Sequence, residues 1–447
     1  MLGLIRAALR NRGIFYVGMG NLISSGLTIV FWLIIANFLK VGDYGYIGYS
    51  IALANLTGEF VLLGLNITVT TFVAKGENGN MVRDANFIVF IACISVCGFY
   101  LIIGLLYVSF LVLAFSVYLM SLAEALGRKK YEIYAFMLIG SRSCQLGFSL
   151  VFYYLWGFNG ILIGSAIAWL LTGLHFFKNI IPLNFDFTSI KKNLAFILSA
   201  FGARVVESMA LFFDRVLIGW LYGNTIVGFY VLALQFYFML YMLPNMMFYY
   251  LLPEKSSGVT MPELEKLSLL MAVFLAVGGF IFFPFFIGWL FPKFDESIQI
   301  VRLMSLAVIP ATVSNIKSAE LFANDRSDIV FQGRFLGLCA LIFGIVVFWE
   351  LFDTIGLGVA ILASQTALAI YFAYISKRLE LELVVRIPIT KKLLIWIISG
   401  EIIEVAEMQE MFAKLVKAPE MPKLPIISIE DIDIEGFRRK MRELLKP

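Results

Sequence analysis

The sequence predicts an all-α integral membrane protein with twelve transmembrane helices in two six-helix lobes and a short cytoplasmic C-terminal tail. Three observations carry that expectation. Of 447 residues, 61% are apolar and 15% charged, against roughly 45–50% and about 25% in soluble globular chains. The apolar residues gather in runs near the ~20 that cross a hydrocarbon core about 30 Å thick. Lys and Arg collect at alternate ends of those runs. So little polar surface excludes a soluble enzyme, a disordered regulator and a nucleic-acid binder, despite a net charge of +4. Four Cys and one His without paired spacing exclude a disulfide scaffold and a Cys/His metal site, and no cofactor is expected.

Taken in order, the expected spans are 14–39, 44–73, 86–106, 108–126, 131–156, 160–181, 193–221, 226–252, 265–290, 298–322, 329–349 and 355–376. Between the third and fourth, the only turn signal read is Tyr107-Val108-Ser109. The first run is too long for a cleavable signal and lacks a small-residue cleavage pattern. With the N-terminus inside, the cytoplasmic segments hold Arg6, Arg10, Arg12, Lys75, Arg83, Arg128, Lys129, Lys130, Lys178, Lys191, Lys192, Lys255, Lys266 and Arg326. The external loops hold only Lys40 and Lys293. This one-sidedness predicts a multi-pass protein of the cell membrane with both termini cytoplasmic. The external connections, such as 40–43, 157–159, 222–225 and 291–297, leave no domain to carry a catalytic site. A membrane glycosyltransferase or polymerase needs acidic groups in a sizeable external loop, and the first such loop offers only Asp43. The chain therefore reads as no enzyme.

The halves repeat. An offset of 196 lays 121–166 over 317–362 without a gap, matching Ala123-Glu124 with Ala319-Glu320, Ile133 with Ile329 and Gly160 with Gly356. At an offset of 183, Leu33-Ile34-Ile35 and Asp43-Tyr44-Gly45-Tyr46 oppose Val216-Leu217-Ile218 and Ile226-Val227-Gly228-Phe229. Six spans per half keep both halves the same way up, which implies parallel repeats about a pseudo-twofold along the membrane normal. The expected divisions are an N-lobe at 1–186, a C-lobe at 187–378 and a tail at 379–447. In the tail the apolar run 393–398 is too short to span. Residues 401–447 carry ten acids and eight bases. Within them, 401–417 can form an amphipathic helix and 426–434 a short strand.

Charge inside the spans is where function shows. An ionised residue at a helix centre costs about 2.5–3.5 kcal/mol on insertion scales, so such groups must face one another or water. On the seventh span Arg204, Glu207, Asp214 and Arg215 share one face; on the second, Asn55, Glu59, Asn66 and Thr70; on the fifth, Arg142, Gln145, Ser149 and Tyr153. Three single polar faces predict a shared hydrated cavity. Its candidate substrate-binding residues are Arg142, Gln145, Arg204, Arg215, Arg334, Asn55 and Asn66, with Glu59, Glu207 and Asp214 as ion-coupling acids. Structural pairing is the alternative for Arg204 and Glu207 at i,i+3, and local pairing for Asp214 and Arg215. Glu124 and Glu320, alike in the two halves, read as inner gates or capping groups. His175 reads as interfacial, and Cys93 and Cys97 as small packing residues. There is no Gly-x-x-x-x-Gly-Lys-Ser/Thr loop, so the chain carries no nucleotide motor of its own.

Several motifs bear a family resemblance: Gly20-Asn21-Leu22-Ile23-Ser24, Ala36-Asn37-Phe38-Leu39, Gly42-Asp43-Tyr44-Gly45, Gly64-Leu65-Asn66, Phe72-Val73-Ala74, Asp214-Arg215-Val216-Leu217-Ile218, Val227-Gly228-Phe229-Tyr230, and Trp289-Leu290-Phe291 followed by Arg302-Leu303-Met304. Over residues 10–378 the chain resembles the polysaccharide transporter branch, the lipid-linked oligosaccharide flippases, of the multidrug/oligosaccharidyl-lipid/polysaccharide exporter superfamily. That resemblance implies twelve or fourteen spans in two lobes. It also implies export of a polyprenyl-phosphate glycan by alternating access, for surface polysaccharide or glycoprotein glycan assembly. Arg142, Arg204, Arg215 and Arg334 would then attract the phosphates. Implied partners are the lipid-linked glycan, membrane lipids and glycosyltransferases or a polymerase or ligase of the same pathway; a monomer is expected. A multidrug exporter of the same superfamily, coupled to cations through Glu59, Glu207 and Asp214, is the competing function, with cavity sign as the discriminator. A scaffold for a glycan-assembly complex is a third, for which the tail is the best support.

Overall fold

A computed structural model describes residues 12–76, 79–180, 186–256 and 261–399. Every regular element among them is helical: α1 Arg12–Phe38, α2 Val41–Leu62, α3 Leu65–Ala74, α4 Gly79–Ile102, α5 Leu106–Gly127, α6 Tyr131–Trp156, α7 Phe158–Thr172, α8 His175–Ile180, α9 Thr188–Lys192, α10 Leu194–Tyr222, α11 Asn224–Ser256, α12 Pro262–Leu290, a 3-10 turn Pro292–Phe294, α13 Ser297–Ala323, α14 Ser327–Phe352 and α15 Thr354–Ser399. The chain divides into a unit Met1–Lys377, which holds every interaction described below, and a unit Arg378–Pro447. In the second unit the described backbone is helical to Ser399; the helix and strand expected at 401–417 and 426–434 lie outside the described residues. So do Arg6 and Arg10.

Among the described residues, ten helices are long and apolar enough to cross a membrane, eleven if α2 and α3 count as one broken span. The chain is therefore a multi-pass membrane protein. The count differs from twelve at two places, each with a local cause. The second expected span is bent by 54° between α2 and α3. Leu63 and Gly64 both take positive φ there, 50° and 75°, which breaks the helical hydrogen-bond ladder. A side chain on Gly64 would meet the Phe201 backbone N at 2.5 Å, so the bend lets α10 approach closely. The sixth expected span stops at Thr172 after 15 residues. The chain turns at Gly173, whose carbonyl accepts from Ser121 Oγ at 2.8 Å, and resumes as α8. The turn between the third and fourth spans falls at Gly104, φ 81°, earlier than Tyr107. There the Leu105 N–H returns to the Tyr100 carbonyl at 2.8 Å, the 6→1 closure of a helix ending on a left-handed glycine.

The 196-residue repeat is written into the backbone. Lys129 and Asp325 take φ 57° and 58°, and Gly157 and Asp353 take 63° and 50°. The Lys130 N–H donates to Ala125 O and the Arg326 N–H to Leu321 O, both at 2.9 Å. A Cβ on Gly160 would strike the Phe152 carbonyl, and one on Gly356 the Phe348 carbonyl. The same hairpin is thus built twice, α6 to α7 and α14 to α15.

Candidate functional site

The buried charges of the second and seventh spans meet, and they meet across the halves. Arg204 on α10 donates through Nε to Glu59 Oε2 of α2 at 3.2 Å and through Nη2 to Oε1. Its Nη1 donates to Glu207 Oε2 at 2.9 Å. Glu59 is 2% exposed, while the Glu207 side chain is 42% exposed. One guanidinium fork therefore serves two carboxylates, with both Glu59 oxygens occupied. This joins the expected coupling acids Glu59 and Glu207 to Arg204 in one cluster.

The other expected residues lie in separate networks. Asp214 accepts from Tyr230 Oη of α11 at 2.7 Å, and from the Arg215 backbone N at 2.7 Å and Nε at 3.2 Å. Arg215 also donates to the Leu211 carbonyl and lies over the Phe212 ring, so it is held by its own helix. Arg142 donates to Gln145 at 2.8 Å and sits 5.8 Å from the Trp169 ring. Gln145 passes the chain on to Ser165 at 3.1 Å, and Ser149 donates to Ile161 O at 3.2 Å. That polar stripe fills the α6–α7 contact within the first half. Asn66 caps locally, accepting from the Ile67 N–H at 2.9 Å, and Asn55 keeps a buried Oδ1 without a partner. Arg334 is exposed on α14. Glu124 accepts from Arg128 at 2.8 Å and lies 3.5 Å from His175. Glu320 pairs with Lys317 at 2.8 Å and lies 3.7 Å from Lys255, which binds Glu265 at 2.7 Å. Each half thus carries a paired glutamate near the C-terminal end of a span.

The cavity is elsewhere. A space of about 900 Å³ lies between α1, α6 and α11, helices of both halves. From α1 it receives Asn21, Ser25 and Thr28; from α6, Tyr131 and Tyr134; from α11, Gln235, Tyr241 and Asn245, with Phe238, Met242 and Met246 between them. None of the twelve expected site residues is in this lining, and no described lining residue is charged. A signal existed: 21, 25 and 28 are spaced i, i+4, i+7, and 235, 238, 242, 245 and 246 form one face of a helix. These side chains are neutral, so they carry no intramembrane charge cost to mark them in the sequence.

The cavity lies on the side where α1 and α6 begin. On the other side the halves close through α2 and α11. A Cβ on Gly45 would strike the Asn224 carbonyl and lie 2.6 Å from the Gly228 N; one on Gly228 would strike the Val41 carbonyl. At the 183 offset Val41 corresponds to Asn224 and Gly45 to Gly228, so the contact is reciprocal, as a twofold between halves produces. Gly48 faces its own counterpart, Val231, with 3.5 Å between the Cβ positions. Tyr44 fills the space beside this crossing, edge-on to Trp32 and Phe294.

No family model matches the sequence, and no curated protein does. Solved structures do. The chain is similar to a lipid II flippase, MurJ, in an inward closed conformation, with 14% identity, 81% of this chain and 87% of that one covered, and a TM-score of 0.67. It is similar to an inward-facing MATE multidrug resistance transporter of the MOP superfamily, with 11% identity, 80% and 94% covered, and a TM-score of 0.61. For an outward-facing MATE transporter the identity is 12%, the coverage 82% and 95%, and the TM-score 0.54. The chain therefore has the fold shared by the lipid II flippase and the MATE transporters of the MOP superfamily.

Proposed function

We propose that the protein is a transporter, not an enzyme, that moves a lipid-linked oligosaccharide across the cell membrane by alternating access. The observation that carries this reading is the cavity of about 900 Å³ walled by helices of both halves on one side, with a glycine-packed closure on the other. A central site reached from one side at a time is what alternating access requires. The positive-inside pattern assigns the open side to the cytoplasm, where a glycan lipid would load.

The cavity favours a glycan over a cationic drug. A cation taken from water into the membrane needs a carboxylate or equivalent to offset its lost hydration, and the described lining has none. Glu59, Glu207 and Asp214 are held in ion pairs or hydrogen bonds away from it. Amides, hydroxyls and aromatic rings are the groups that bind sugars. The test is translocation of a fluorescent lipid-linked oligosaccharide in proteoliposomes. The parental protein is expected to flip it, and the Gln235→Ala/Asn245→Ala variant to flip it at least tenfold more slowly. Translocation unchanged in that variant, or export of a lipophilic cation instead, overturns the reading.

A further inference from the structure

Three polar side chains of the cavity each have a donor committed to the backbone of their own helix. Asn21 Nδ2 donates to Val17 O at 2.8 Å, Thr28 Oγ1 to Ser24 O at 2.8 Å and Gln235 Nε2 to Val231 O at 3.4 Å. All three partners are backbone carbonyls, which only accept, so chemistry fixes which atom donates. Thr28 has used its single hydrogen, and its oxygen can only accept from a ligand. Asn21 and Gln235 each present a carbonyl oxygen and one remaining N–H. Tyr241 donates to Asn315 Oδ1 at 3.0 Å, and its ring is stacked on Tyr237 with centroids 5.6 Å apart. It is thereby fixed as a rigid aromatic wall.

A phosphate is an acceptor-only anion and needs donors in excess, best from Arg or Lys. This lining has neither among its described residues. Of the four arginines expected to serve, three are engaged elsewhere, Arg142 by Gln145, Arg204 by Glu59 and Glu207, and Arg215 by Asp214, and Arg334 is exposed on α14 outside the lining. A sugar hydroxyl both donates and accepts, which matches a wall of mixed amides and hydroxyls. The C–H faces of a sugar ring suit the rings of Tyr131, Phe238 and Tyr241. The volume of about 900 Å³ falls in the range of ligand sites, roughly 300–1,000 Å³.

Resting on the transport reading above, we infer that this cavity seats the uncharged sugars of the glycan through O–H donation to Asn21, Thr28 and Gln235, and that the carrier's phosphate stays outside it. Recognition is then independent of charge, and the protein selects its substrate by sugar.

The test uses the full-length protein in nanodiscs and equilibrium binding of three uncharged soluble probes, chitotetraose, maltotetraose and mannotetraose. At least one is expected to bind, with affinity unchanged between about 0.05 and about 0.5 M salt, a range over which exposed charge interactions are strongly screened. Inorganic pyrophosphate and tetraphenylphosphonium are expected not to displace it. Thr28→Val and Gln235→Leu are near-isosteric and should each weaken binding about 2- to 10-fold, the worth of one hydrogen bond. An unchanged melting temperature identifies variants that fold. Displacement by pyrophosphate, loss of affinity with salt, displacement by the phosphonium, or no saccharide bound at all would each overturn the inference, and none of these depends on a variant. Flipping measured on the same preparations separates the two readings. Flipping with pyrophosphate as the cavity ligand overturns this inference alone. Saccharide binding without flipping supports the site and removes the transport reading.

Discussion

Arg204 is the residue on which the two halves share charge. Removing it leaves Glu59 buried beside Glu207 with no counter-charge, whereas removing both partners leaves only a polar pocket. Breaking a buried pair from one side costs about 3–5 kcal/mol in proteins generally, and the partly exposed Arg204 places this case at the lower end, about 3 kcal/mol. Thermal melts in detergent should show Arg204→Gln clearly destabilised and Glu59→Gln/Arg204→Gln substantially recovered; equal loss in both would mean the cluster does not behave as a pair. How far such residues could be read in advance depends on their chemistry. Glu59, Arg204 and Glu207 were legible because an ionised group in a span demands a partner, so their convergence followed from cost alone. Arg142 was equally legible as polar, but its own helix face does not reveal that α7 supplies Ser165. Asn21, Thr28 and Gln235 went unread because a neutral amide or hydroxyl satisfies itself on the preceding helical turn and needs no partner.

At the scale of elements, glycine contacts decide what moves and what does not. The crossing of α2 and α11 has no room for side chains at Gly45 or Gly228. Gly45→Val must push α2 from the Asn224 carbonyl. The expected outcome is a loosened closure, seen as increased labelling of Val231→Cys by a membrane-impermeant thiol reagent from the side opposite the cavity. Labelling as low as with glycine at 45 would show that the crossing is not what seals that side. The spans themselves were legible from hydropathy, and both repeats from offsets in sequence. Their ends were less so. A hydropathy window averages across Leu63-Gly64 and Gly104, where one or two left-handed residues bend or end a helix inside an apolar run. The Gly104 turn was hidden because the polar signals at Tyr107 and Ser109 lie in the helix that follows.

For the whole molecule, one geometry unites the reciprocal contact at Gly45 and Gly228, the hairpin built twice at an offset of 196, and the cavity between α1, α6 and α11. Two like halves touch on one side and part on the other. The described cavity is neutral, and the expected charges lie outside its lining, with Arg204 bridging the halves to Glu59. If the protein works by exchanging which side is closed, the α2–α11 crossing must open in each cycle. That requirement is testable directly, because the Cβ positions of Gly48 and Val231 are 3.5 Å apart, within the usual disulfide range of about 3.5–4.5 Å. The measurement is glycan-lipid translocation by Gly48→Cys/Val231→Cys protein in which Cys93, Cys97, Cys144 and Cys339 have been replaced. Oxidation should stop translocation and dithiothreitol should restore it, while each single-cysteine variant stays active in both conditions. Translocation that continues at full rate with the disulfide formed would contradict alternating access across this crossing.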